Sequence, residues 1–170
     1  MFGEPRRPAA SGVWGGWGGK NEPPARGVFV ERAAPGERIE NRDQKNNRQY
    51  YPRLEEKIIA LVRAFGMEKR VIFSSFNNVS ILRCRRLAPE IDAGFLWKGP
   101  VIGQAGQYCR DNDVQFFMPD GNYLSDDIVA DFRAHGIRLA PWTANSLPEI
   151  RRLADWDVYC INTNYPNLRK

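Results

Sequence analysis

Long apolar runs are missing from this chain. No stretch approaches the roughly 20 residues needed to cross a bilayer, and the amino terminus has no hydrophobic signal core. The expectation is a soluble, cytoplasmic protein. Cysteine is scarce: Cys84, Cys109 and Cys160 show no Cys-x-x-Cys spacing, and their odd number leaves no complete disulfide framework, which fits a reducing compartment. Histidine is scarcer still, with His135 alone among 170 residues. Clustered positive charge is also lacking. A net charge of +5 would suit nucleic acid only if its Lys and Arg were gathered to displace counterions. Instead they spread from Arg6 to Lys170 and alternate with acids, as in Leu54-Glu55-Glu56-Lys57 and Glu149-Ile150-Arg151-Arg152. Even the densest group, Arg83-Cys84-Arg85-Arg86, reads as the wet face of a helix, so no nucleic-acid partner is expected.

What is present is uneven along the chain. Residues 1–27 hold seven glycines and four prolines, and their apolar residues follow neither a helical nor a strand period. Val28-Phe29-Val30 is the one strand-like run before a polar, charge-dense stretch ending at Gln49. Residues 1–49 are therefore expected to be a disordered or unrelated leader, and residues 50–170 the folded part.

From Tyr50 onward the local signals agree with one another. Leu54, Ile58, Leu61, Val62 and Phe65 recur at helical spacing, with Pro52 suited to the first turn and Gly66 to the terminating position. A strand over 70–75 follows, then a helix carrying Val79, Leu82 and Leu87 that stops before Pro89. Strand-like Ala93-Gly94-Phe95-Leu96 precedes a helix near 102–111, and Val114-Gln115-Phe116-Phe117-Met118 precedes another. That next helix has a staple and cap at Leu124-Ser125, acids at 126 and 127, and Gly136 as its stop. A strand over 137–142, a capping box at Ser146-Leu147-Pro148-Glu149 and a final strand over 158–161 complete the pattern. Strands separated by helices pair in parallel through right-handed crossovers, so the chain is α/β. Both a doubly wound sheet and a barrel show this alternation.

The motifs decide between them. Tyr51-Pro-Arg-Leu-Glu-Glu-Lys57 and Arg70-Val-Ile-Phe-Ser-Ser-Phe-Asn77 resemble the middle of the glycerophosphodiester phosphodiesterase family. His135-Gly-Ile-Arg-Leu-Ala-Pro-Trp-Thr-Ala-Asn145 is similar to that family's late strand, which ends in Trp-Thr-Val-Asn. Ile161-Asn-Thr-Asn-Tyr-Pro166 resembles its closing Ile-Thr-Asp-x-Pro. The resemblance covers residues 50–170 and implies part of a (β/α) barrel, about the last five strands with their helices. Such a barrel usually needs about 250 residues. It further implies hydrolysis of glycerophosphodiesters to glycerol 3-phosphate and an alcohol in lipid metabolism, with a divalent cation, Mg²⁺ or Ca²⁺, held by carboxylates.

Residue by residue, the resemblance implies a metal-ligand role for Asp43, a phosphate-facing role for Lys45 and a substrate-covering role for Trp142. The alternatives are a solvated charge cluster at Asp43-Gln44-Lys45 and a core tryptophan at 142. Asn164 stands where the family has Asp. The family's His-Arg-Gly, Glu-Asn and His-Asp elements, which supply its histidines and most metal ligands, have no counterpart, and His135 reads as a helix C-terminal residue. The chain is thus expected to be inactive alone and to hold a cation poorly. The rival reading is a gene fragment or a non-catalytic half-barrel interaction module, self-associating through exposed strand edges. In either case Val71, Phe73, Phe95, Phe116, Leu139 and Ile161 are expected to be incompletely covered.

Overall fold

The computed structural model describes residues 29–31 and 53–165. Asp43, Lys45 and most of the expected leader lie outside the described residues. In chain order the strands are β1 (Phe29–Glu31), β2 (Ile72–Ser75), β3 (Asp92–Trp97), β4 (Phe116–Pro119) and β5 (Arg138–Leu139). The helices are α1 (Leu54–Ala64), α2 (Asn78–Leu87), α3 (Ala105–Asp111), α4 (Asp126–Ala134) and α5 (Leu147–Ala154).

The stop and start signals act where the sequence puts them. Gly66 and Gly136 follow α1 and α4 at φ 60° and 73°, a region that side-chain-bearing residues enter only at a cost. The Asn77 side chain accepts from the Val79 and Ser80 N–H groups at 3.1 and 3.3 Å, capping α2. At α5 the capping box is complete: Glu149 Oε2 accepts from the Ser146 N–H at 2.9 Å, and Ser146 Oγ accepts from the Glu149 N–H at 3.4 Å. Ser125 occupies the cap position of α4 with extended backbone, although its side chain makes no capping hydrogen bond.

Sheet order is β1-β2-β3-β4-β5, with β2 through β5 parallel and β1 antiparallel to β2. Because the parallel strands run in sequence order without a reversal, right-handed crossovers stack their helices on one face. The packing agrees. One large cluster joins α1 through α5 to Val71, Phe73, Ala93, Phe95, Phe117 and Leu139 of the strand segments, with Phe117 and Phe132 stacked at 4.5 Å. A smaller cluster lines the opposite face: Ile72, Leu96, Phe116, Met118, Ala140 and Cys160. This is a barrel-type arrangement with a helix side and an inner side.

Several expectations change. Five of the six strand residues expected to be incompletely covered are buried, and Ile161 is half-buried. Val71, Phe73, Phe95 and Leu139 face the helices. Phe116 is enclosed by the Tyr159 ring at 5.0 Å and the Arg138 guanidinium at 4.2 Å. The edge of β2 is not open, since β1 pairs along it. The residues over 158–161 do not form a regular strand, although the Tyr159 N–H donates to Leu139 O and the Asn162 N–H to Pro141 O, both at 2.9 Å. The reason is Pro141: a parallel ladder would next need its N–H, and proline has none.

Two helices are rotated from the expected faces. α1 buries Glu55, Ile59 and Val62, leaving Leu61 and Phe65 58% and 73% exposed. α2 buries Ser80, Ile81, Cys84 and Arg85 while Val79 is exposed. Arg83-Cys84-Arg85-Arg86 is therefore not simply a wet face. Arg85 donates to Ile91 O at 2.6 Å, to Pro89 O at 2.9 Å and to Asp113, and Ser80 donates to the buried Glu55 at 2.5 Å. All three cysteines are buried and outside any disulfide among the described residues, and burial pushes the Cys84 and Cys109 thiols up to about 12. No helix among the described residues is long and apolar enough to cross a membrane.

Candidate functional site

Parallel strands joined by helices bring all their carboxyl ends to one rim, the place where this architecture assembles its chemistry. The rim receives Phe76 and Asn77 after β2, Lys98 after β3, Asp120 after β4, Trp142 to Asn145 after β5, and Asn162 to Asn164 from the closing segment.

Trp142 is the most firmly held of these. Its N–H donates to Pro119 O at 2.9 Å, its C=O accepts from the Gly121 N–H at 2.8 Å, and a single parallel bridge pairs it with Asp120. The indole Nε1–H donates to Met118 O at 2.8 Å, which satisfies the ring's only polar group. Phe76 meets the indole in a T-shaped contact, centroids 5.7 Å apart and planes at 89°. Both rings pack on the inner cluster and both stay half-buried, so apolar ring surface remains at the rim.

The neighbouring loops are tied together by asparagines. Asn145 Oδ1 accepts from the Asn164 N–H at 3.0 Å, and the Ala144 N–H donates to Asn162 O at 2.9 Å. Asn162 Nδ2 donates to Ala140 O and Pro141 O at 3.0 and 3.1 Å, joining the closing segment to β5 where regular pairing fails. Phe76 and Asn162 were not singled out from sequence. Each sits inside a quoted motif, Ser75-Phe76-Asn77 or Ile161-Asn162-Thr163-Asn164, and that was the available signal.

Carboxylates are thin at this rim. Asp120 Oδ1 accepts from both the N–H and the side-chain amide of Asn122 at 3.0 Å. Glu149 is committed to its helix cap; the Ser146 hydroxyl, followed by the Asn145 N–H, holds its carboxyl below the ordinary glutamate range. No cluster of three or more His, Cys, Asp or Glu able to hold a metal ion occurs among the described residues. A hard divalent cation wants six or more oxygens, so these residues do not fit one.

His135 lies elsewhere. It caps the C-terminus of α4, its Nδ1 2.8 Å from Asp131 O and 3.2 Å from Asp131 Oδ1. Because α4 runs back to the start of β5, this is the end opposite Trp142. The expected helix C-terminal position is observed.

Comparison with known proteins agrees with this geometry. The sequence profile of the glycerophosphoryl diester phosphodiesterase family matches residues 32–168, a span that includes Asp43, Lys45 and Trp142. The uncharacterised protein YqiK of Bacillus subtilis is 31% identical over 128 residues, 74% of this chain and 52% of its own length. A glycerophosphodiester phosphodiesterase of Bacillus subtilis is 29% identical over 127 residues, 69% of this chain and 43% of its own length. A solved structure from Silicibacter pomeroyi, provisionally named a glycerophosphoryl diester phosphodiesterase, superposes with a TM-score of 0.63 at 27% identity, covering 68% of this chain and 41% of that one. This chain thus spans about half the length of the curated relatives it matches. It belongs to the glycerophosphoryl diester phosphodiesterase family, and its parallel strands and one-sided helices are part of that family's (β/α) barrel.

Proposed function

We propose that this chain supplies the substrate-covering side of a glycerophosphodiester phosphodiesterase barrel in cytoplasmic lipid metabolism, and that it does not hydrolyse the diester by itself. The observation that carries this reading is the separation of parts: Trp142 stands at the strand carboxyl ends with apolar ring surface exposed, while the one histidine of the chain sits at the opposite end. Hydrolysis requires neutralising the diester charge and moving protons to and from the reacting oxygens, and the described rim brings no histidine and no cluster of three or more metal-binding side chains to those tasks. In this reading the Trp142 ring covers the carbon face of the glycerol end, which suits an apolar wall with few polar groups. Asp43 is the proposed cation ligand and Lys45 the proposed phosphate-facing cation; one carboxylate alone would hold Mg²⁺ or Ca²⁺ weakly.

The purified chain with Mg²⁺ or Ca²⁺ is expected to release no glycerol 3-phosphate from glycerophosphocholine above a no-protein control. Turnover that survives His135→Ala, with contaminating phosphodiesterase excluded, would overturn the inactivity. A second reading, a non-catalytic module that binds a partner, is favoured by the exposed Leu61 of α1 and the exposed Phe65 that follows its last residue.

A further inference from the structure

We propose that Phe76 is a positioning residue that fixes the orientation of Trp142, the two rings together forming an aromatic floor across the mouth of the curled sheet. The inference rests on the reading of Trp142 as a pocket wall. Phe76 follows β2 and Trp142 follows β5, with β3 and β4 between them in the sheet. At about 4.8 Å per strand, a flat sheet would hold these positions about 14 Å apart. The ring centroids are 5.7 Å apart, so the contact crosses the concave side rather than following the sheet surface. The pair packs against the inner cluster, to which Leu96, Met118 and Ala140 belong.

Phe76 is suited to this role because its backbone is held on both sides. Ser75 is buried and pairs with Phe95, its Oγ accepts from the Asn77 N–H at 3.0 Å, and the Asn77 side chain caps α2. Strand alternation from Ile72, which belongs to the inner cluster, brings residue 76 to the same face. On Trp142 the hydrogen bond to Met118 O anchors one edge of the indole but leaves the ring free to tilt about that bond. The T-shaped contact removes the tilt, and aromatic pairs in this geometry gain beyond simple burial.

The test uses the indole N–H signals of the intact chain. Trp97 and Trp156 serve as internal controls, since their Nε1–H groups donate to Pro100 O at 3.0 Å and Asp126 Oδ1 at 2.6 Å, away from Phe76. Phe76→Leu is expected to shift the Trp142 indole resonance and to speed its hydrogen exchange by about two- to tenfold, the loss of one aromatic pair. Trp97 and Trp156 should be unchanged, and Phe76→Tyr, which keeps the ring, should restore the Trp142 signal. In the unmodified protein, ring protons of Phe76 and Trp142 should show a direct through-space contact, whether or not the leucine variant folds. An unmoved Trp142 signal, equal acceleration at Trp97, Trp142 and Trp156, or no through-space contact would each overturn the proposal. Titration with sn-glycerol 3-phosphate separates the underlying reading: an unresponsive Trp142 signal would sink its pocket role while the exchange result continued to judge Phe76.

Discussion

At the scale of single residues, burial turned two apparent surface charges, Arg85 and Glu55, into structural parts. Arg85 closes the turn after α2 by donating to Pro89 O and Ile91 O, and it also pairs with Asp113, which is 76% exposed. These partners differ in value. An ion pair with one exposed member contributes about 0–1 kcal/mol, whereas the buried Ile91 carbonyl left without a donor costs about 1–3 kcal/mol; the exposed Pro89 carbonyl can turn to water. Arg85→Ala is therefore expected to lower unfolding stability by about 2 kcal/mol and Asp113→Ala by at most about 1 kcal/mol. Denaturant titration that reversed this order would show that the ion pair, not the carbonyls, holds the turn. Glu149 carries a pH signature. Its folded carboxyl is held below the ordinary glutamate range by the Ser146 hydroxyl and the Asn145 N–H, so the stability it contributes is complete above that range and is lost as the pH falls through its folded pKa. The stability difference between the native protein and Glu149→Gln should accordingly shrink as the pH is lowered below about 4.5. A difference independent of pH would show that the cap works without its charge. The Ser146-Glu149 box was legible in sequence because both partners lie within one turn. The Arg85 contacts were not, because they depend on how the chain turns after α2 and on Asp113, 28 residues away.

Among the elements, local punctuation was readable and helix orientation was not. Caps and glycine stops depend on neighbouring residues, so α2, α4 and α5 begin and end close to where their sequences put them. Which face of α1 turns inward depends on what it meets. Ile59 and Val62 enter the core, and Glu55 joins them because Ser80 of α2 satisfies its carboxylate. The closing segment shows the same contrast. Its apolar content reads as a strand, but pairing is a property of both partners, and Pro141 on the β5 side supplies no donor. In Pro141→Ala the new amide is expected to donate to Tyr159 O and exchange slowly. One added hydrogen bond, about 0.5–1.5 kcal/mol, is offset by the more flexible unfolded chain, and the loss of the fully buried proline ring leaves a void, so overall stability should fall rather than rise. Rapid exchange at residue 141 would show that some other constraint keeps the segment irregular.

Across the described residues as a whole, the apolar surface left outside lies on helices and loops rather than on strand faces. Leu61, Phe65, Val79 and Ile102 are all more than half exposed, while Phe73, Phe95 and Phe116 are almost fully buried. Hydrophobic dye binding is thus expected to report α1, and the double variant Leu61→Lys, Phe65→Lys should bind less dye without a lower unfolding midpoint. Equal dye binding would return attention to the strands. By itself the sequence determined the α/β alternation, the capped helix ends and the family motifs ending in Trp142, because each depends on residues close in the chain. Only the tertiary structure decided that β1 covers the edge of β2, that Arg85 and Glu55 are buried, and that Phe76 meets Trp142 across the curl of the sheet. Those outcomes depend on contacts between segments far apart in sequence, whose geometry follows from the curvature and packing of the assembled sheet.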